Sequence, residues 1–190
     1  MLNIIKVQII IISIMVCTSC VSSMMSVSQV VYDRHEIQQD VIDHQLQVKA
    51  NHALFDHYPH LKRENISITA YNKDLIVIGQ VQYKSDKLLV DKTLNKLPDI
   101  RRLFNELTIG KKVSFVQSIK DSWITSKIRA RMVTANDIKP SDFKIITENS
   151  VVYILGDVKK EQAKIVVSFA QQTSGVTKVV RVLKYYQYVL

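Results

Sequence analysis

The chain has 190 residues, 47% of them apolar, with 26 basic against 17 acidic side chains and a formal charge of +9. That composition excludes a disordered tail and a multi-span membrane protein, and leaves room for one hydrophobic core or two small ones. The charge favours an anionic partner without choosing among nucleic acid, a phospholipid surface and an acidic glycan.

The first element is a targeting segment. MLNIIKVQIIIISIMVCTSC carries Lys6, an apolar run from Ile9 to Cys17, and small polar residues before Cys20. A bilayer span takes about 20 apolar residues and this run has roughly half, so a secretory signal peptide over 1–19 fits better than a permanent transmembrane helix. Thr18, Ser19 and Cys20 resemble a bacterial lipoprotein box, with Cys17 where such boxes usually carry Leu. Ordinary cleavage nearby and an uncleaved anchor are the other readings. The resemblance makes Cys20 the lipid-attachment residue, heading a linker over 20–38, and Val21 after it, in place of Asp, implies the outer membrane. One acyl chain binds marginally, at about 0.8 kcal/mol per buried CH₂, whereas two or three anchor durably. Cys17 and Cys20 are the only cysteines, so the folded part has none for a disulfide or a metal site.

From residue 39 onwards one pattern occurs twice. A first unit, 39–108, reads as a helix over 46–55, a hairpin over 65–81 turning at Asn72-Lys73, a helix over 84–97, and a strand over 100–107 after the breaker Pro98. A linker over 109–119 follows. The second unit, 120–190, repeats the order with a helix from Asp121 to Val133, a hairpin over 142–158 turning at Asn149-Ser150, a helix over 159–172, and a strand over 176–183 after Gly175. The hairpins align without gaps at an offset of 77, matching Ile68 to Ile145, Asn72 to Asn149 and Gly79 to Gly156. Gly79 and Gly156 fall at matching strand ends and, like Gly175, read as structural, where a missing Cβ permits positive φ or close backbone approach. The expected fold is α+β: two tandem αββαβ units, each a three-stranded mixed sheet with two helices on one face and a right-handed crossover.

The αββαβ order, the hairpins ending in Gly-x-Val (Gly79 to Val81, Gly156 to Val158) and the S-G-V-x-x-V of Ser174 to Val179 resemble BON domains. Two in tandem behind a lipoprotein signal are similar to the dual-BON outer-membrane lipoproteins. The first copy departs from the pattern, with Leu97-Pro98-Asp99-Ile100 in place of Ser-Gly-Val.

Within the second unit, Ile124, Ile128 and Met132 recur at four-residue spacing and form the face turned to the sheet, with Asp121 read as the N-cap. Trp123, the sole tryptophan, shares an adjoining stripe with Ser126, Lys127, Ala130 and Arg131. An aromatic ring beside flexible cations suits a bilayer interface, where the ring lies at headgroup depth and the cations snorkel towards phosphates. Plugging the edge of a small core is the plainer alternative. The first copy has Gln45, Lys49 and Ala53 at the matching positions. Residues 31–119 carry 13 basic and 11 acidic groups (+2), and 120–190 carry 12 and 6 (+6). The family resemblance implies anionic phospholipid binding by the first helix of the second unit, and a role in envelope integrity at the division site. A periplasmic protein-interaction or stress-response BON protein is the alternative.

Other patterns are weaker. His35, His44, His52, His57 and His60 have loose spacing, and FDHYPH with Asp56 and His52 lacks a paired metal signature, so no metal is expected. With four glycines in the chain and no nucleophile elbow, phosphate loop or Cys-His pair, neither an enzyme nor a cofactor or small-molecule substrate is expected. Export and the lack of an aromatic stacking motif disfavour nucleic acid. The tail KYYQYVL, 184–190, extends the last strand; its tyrosines either pack on their own domain or mark an interface with an envelope protein partner.

Overall fold

A computed structural model describes residues 27–186, with side chains from Gln38 onwards. The segment expected to be a signal peptide, Cys17, Cys20, the side chain of His35 and the last four residues lie outside the described part. The chain divides into two compact units after Ile37, and all the strands described belong to the second. The elements are α1 (Val27–Phe55), β1 (Asn65–Tyr71), β2 (Asp74–Val81), α2 (Lys84–Leu94), β3 (Arg102–Asn105), β4 (Thr108–Ile109), α3 (Phe115–Val133), β5 (Phe143–Glu148), β6 (Val151–Val158), α4 (Lys160–Gln171) and β7 (Lys178–Tyr185).

The αββαβ order occurs twice, in two mixed sheets. In one, β1 pairs antiparallel with β2, and β3 and β4 lie parallel to β2; in the other, the order is β5-β6-β7, with β7 parallel to β6. The first sheet therefore departs from the expected three strands. Its closing strand is broken into β3 and β4 opposite Ile78 and Gly79, the latter with a φ of +121°, while the pairing of β2 with β1 runs on unbroken. A Cβ at Gly79 would stand 1.8 Å from the Asn65 carbonyl oxygen, so only glycine fits. Gly156 lacks the positive φ, and β7 pairs with β6 along its whole length.

Both hairpins turn through two residues with positive φ, Asn72 (47°) and Lys73 (63°), then Asn149 (49°) and Ser150 (64°). That geometry matches the right-handed twist of the strands but strains residues other than glycine. A buried carboxylate holds each turn. Asp43 on α1 accepts the Asn72 and Lys73 amides (2.5 and 2.8 Å), and Asp121 on α3 accepts those of Asn149 and Ser150 (2.7 and 2.8 Å). Asp121 is therefore not the N-cap that its sequence position had indicated. The cap is Ser114, whose Oγ accepts the Gln117 amide, and α3 begins within the stretch expected as a linker. That stretch also contains part of β4, leaving residues 110–114 between elements.

Period-two alternation sorts the strands. Leu75, Val77 and Val81 of β2 meet α1 and α2, while Val152, Ile154 and Val158 of β6 meet α3 and α4. The intervening Ile76 and Ile78 pack against Tyr153, Leu155 and Val182. The helix-free faces of the sheets are thus stacked on one another. At about 1.5–3 kcal/mol per fully buried large apolar side chain, these five contribute on the order of 10 kcal/mol before ordering costs. At the rim, Arg101 donates to Asp74 (2.6 and 2.8 Å) and to Asp157 of the other sheet (2.9 and 3.1 Å), and Arg102 also binds Asp74. Asn65 and Gln80 donate to Glu148, and the Tyr71 hydroxyl to the Asp142 carbonyl.

Candidate functional site

Helix α3 has two apolar faces. At 100° per residue, Ile124, Ile128 and Met132 share an inward arc and are buried, together with Asp121. On the opposite arc stand Phe115 (80% exposed), Val116 (60%), Ile119 (54%), Trp123 (66%) and Val133 (72%). Trp123 is not a core plug. From Phe115 to Trp123 the stripe rises about 12 Å; Lys111 and Lys112, shortly before the helix, and Lys120 on it are exposed. Single exposed apolar residues are ordinary, but an aligned group of this size on one helix is a candidate docking surface.

The predicted stripe is partly recast. Trp123, Ser126, Ala130 and Arg131 are exposed, and Lys127 is half-buried. Ser126 donates back to the Ser122 carbonyl (2.9 Å). The cations do not simply point outwards. Lys127 Nζ donates to the Ser174 carbonyl (2.8 Å), and Arg131 Nη1 to the Phe169 carbonyl (3.0 Å) with its guanidinium 5.5 Å from the Phe169 ring centroid. Both therefore close the C-terminal end of α4, where free carbonyls concentrate negative potential. Gly175, at φ +96°, lets the chain turn there, against Ile124. The cations contribute to the field near the stripe while their heads are held by backbone oxygen.

Helix α1 gives an internal comparison. Val41 stands where α3 has Ile119, and Gln45 where it has Trp123, so the first unit has no equivalent aromatic stripe; Lys49 is exposed and Ala53 half-buried. Phe115, Val116 and Ile119 fall in the stretch that reads from the sequence as a linker, 109–119, and so escape the sequence reading of the site. The spacing Phe115, Ile119, Trp123, with Val116 beside them, was the available signal.

The histidines whose side chains are described form no centre. His52 Nδ1 lies 2.8 Å from Asp56, holding that carboxyl below its usual range, and His60 lies 3.6 Å from Asp86. Among the described residues no three His, Cys, Asp or Glu side chains are grouped to hold a metal ion.

Residues 120–186, from within α3 through β7, match the BON domain family, and Phe115, Val116 and Ile119 lie ahead of the matched stretch. The chain is 35% identical over 120 residues to the outer membrane lipoprotein DolP of Haemophilus influenzae, a match covering 63% of this chain and 62% of that protein. It is 31% identical over 128 residues to the 21 kDa hemolysin of Actinobacillus pleuropneumoniae, covering 67% and 66%. The chain thus spans a little under two thirds of the length of each of those relatives. A solved structure of CdsD, a structural protein of the type III secretion system of Chlamydia trachomatis, overlaps 72% of this chain and 90% of its own at 11% identity and TM-score 0.32, too slight a likeness to bear on fold or function. None of these matches is to a catalytic family.

Proposed function

We propose that this chain is an outer-membrane lipoprotein with two BON domains, tethered through Cys20 and facing the periplasm, whose α3 docks on anionic phospholipid and supports envelope integrity, including at the division site. The observation that carries the reading is the outward arc of Phe115, Val116, Ile119 and Trp123. Such an arc enters the interface by about 5–10 Å, and nearby basic residues add about 1 kcal/mol each at an anionic surface. The relative's name, outer membrane lipoprotein DolP, supports the address. Among the described residues no helix is long and apolar enough to cross a membrane, so α3 lies on the bilayer in this reading.

The test uses the compact unit from Gln38 onwards and vesicles of phosphatidylglycerol with phosphatidylcholine. Trp123 is the sole tryptophan, so its emission reports the contact directly and should shift to the blue on binding. Ile119→Ser combined with Trp123→Ala should abolish co-sedimentation, whereas the matching change at Val41 should not. Undiminished sedimentation of the double variant would refute the docking face.

A further inference from the structure

The outward arc of α3 is apolar mainly at one end. Of its five exposed large apolar side chains, Phe115, Val116, Ile119 and Trp123 stand ahead of residue 124, and Val133 lies beyond it. The cations near the arc divide in the same way. Towards the C-terminal end, Lys127 and Arg131 have their heads on the Ser174 and Phe169 carbonyls. Towards the N-terminal end, Lys111, Lys112 and Lys120 are exposed, and among the described residues their side chains make no hydrogen bond or ion pair. The cations free to meet a phosphate are therefore those beside the apolar end. Nothing in that stretch offsets them, since Thr108 to Lys120 holds three lysines and no acidic side chain. Asp121, next in sequence, is buried and accepts the hairpin amides.

Two of these lysines belong to the segment that joins the repeats, and the first unit holds that segment in place. Thr108 Oγ1 donates to the Gly79 carbonyl (3.1 Å), the Gly110 amide to the Val81 carbonyl (2.9 Å) and the Val113 amide to Oε1 of buried Gln80 (3.2 Å). Three successive residues of β2 thus tie it down. Lys111 and Lys112 lie between the last two ties, and Ser114 then caps α3. Along the chain, Lys112 is at most about 11 Å from Phe115. Exposed Ile109 precedes the lysines and exposed Phe115 and Val116 follow them, so apolar side chains bracket the charge. That order suits headgroup depth, where apolar groups enter and lysine stems reach back to phosphate. Fixing a backbone has an entropic cost, which here falls on folding and not on binding.

We propose that Lys111 and Lys112, presented by β2 of the first unit, form with Lys120 the phosphate-binding edge of the docking surface, so that both repeats bring the molecule onto an anionic bilayer and the N-terminal end of α3 enters first. The inference rests on the lipid-docking reading of α3 and extends the contact to the joining segment. It also moves the headgroup contact away from Lys127 and Arg131. Lysine, a compact charge on a flexible stem, suits attraction to a field of headgroups more than recognition of one shaped ligand.

The experiment places the full chain in nanodiscs of phosphatidylcholine, with or without phosphatidylglycerol, and reads two signals: Trp123 emission, and acetylation of each lysine by mass spectrometry. With phosphatidylglycerol, Trp123 should shift to the blue and Lys111, Lys112 and Lys120 should be acetylated more slowly. Lys127, and Lys92 exposed on α2 of the far helical layer, should keep their rates. Lys111→Gln with Lys112→Gln should lower the docking equilibrium read by Trp123 about 30-fold, as two charges lost at an anionic surface require. Lys111→Arg with Lys112→Arg should restore it, which loss of folding could not mimic. A blue shift without protection of Lys111 and Lys112 would overturn the inference and leave α3 docking intact, as would a glutamine variant that docks like the parent. Equal protection in both kinds of disc would overturn the anionic preference. No shift and no protection in either would overturn the docking reading and this inference together.

Discussion

Asp43 and Asp121 show how one carboxylate can fix a backbone conformation that sequence alone disfavours. Each receives two amides from a turn whose central residues are not glycine, and each is buried. Asp121→Ala leaves the Asn149 and Ser150 amides without that partner, at a cost of about 2 kcal/mol, or about 4–8 °C in Tm for a chain of this size. Calorimetry checks this, and Asp121→Asn, which keeps one acceptor oxygen, should fall between. Asp74 is a second case. Burial raises its pKa, but hydrogen bonds from Arg101 and Arg102 outweigh that and hold it below the usual range. Its contribution is therefore complete above the unfolded value, about 3.9, and is lost as pH falls through the lower folded value. Urea unfolding at pH 7, 4 and 3 should show the stability gap between the parent and Asp74→Asn narrowing with acidification.

At the scale of elements, the hairpins were legible because an apolar-polar alternation around Asn72-Lys73 and Asn149-Ser150 has one geometric reading, and the repeat doubled the signal. The inner face of α3 was legible through the four-residue spacing of Ile124, Ile128 and Met132. Its true start was not. Asp121 has the chemistry of an N-cap, and only the positions of two turn amides, distant in sequence, reveal that its carboxylate is used elsewhere. The outward stripe is half legible, since Trp123 stands out as the sole tryptophan while Phe115, Val116 and Ile119 fall in a stretch that reads as a linker. The break between β3 and β4 was likewise hidden, because matching glycines at 79 and 156 adopt different backbone conformations. The difference can be measured. Gly79→Ala meets the Asn65 carbonyl at 1.8 Å as well as positive φ and should cost about 3 kcal/mol or more. Gly156→Ala, whose Cβ would lie 2.9 Å from the Asp142 carbonyl oxygen, should cost less, and chemical denaturation of both variants checks the order.

At the scale of the whole molecule, the stacking of the two sheets decides whether the repeat behaves as two domains or one. The sequence held half of this, since Leu75 to Ile78 is an unbroken apolar run that alternation on one face cannot use up. What it packs against is a nonlocal choice that no local period encodes. Because Ile76 and Ile78 are buried against Tyr153, Leu155 and Val182, with Arg101 bridging Asp74 and Asp157 at the rim, unfolding either unit would expose the back of the other. An exposed sheet face of that size has no stable state in water, so the two units should melt in one transition. Leu155→Ala should cost about 2–5 kcal/mol and shift that single transition as a whole, in fluorescence from Trp123 of the second unit and in exchange of first-unit amides such as Val77. A double cycle with Ile78→Ala should show coupling above about 0.5 kcal/mol, since the residues belong to one cluster across the two sheets. Two separated transitions, with only the second displaced by Leu155→Ala, would mean that the sheets associate too weakly for the units to share one folding equilibrium.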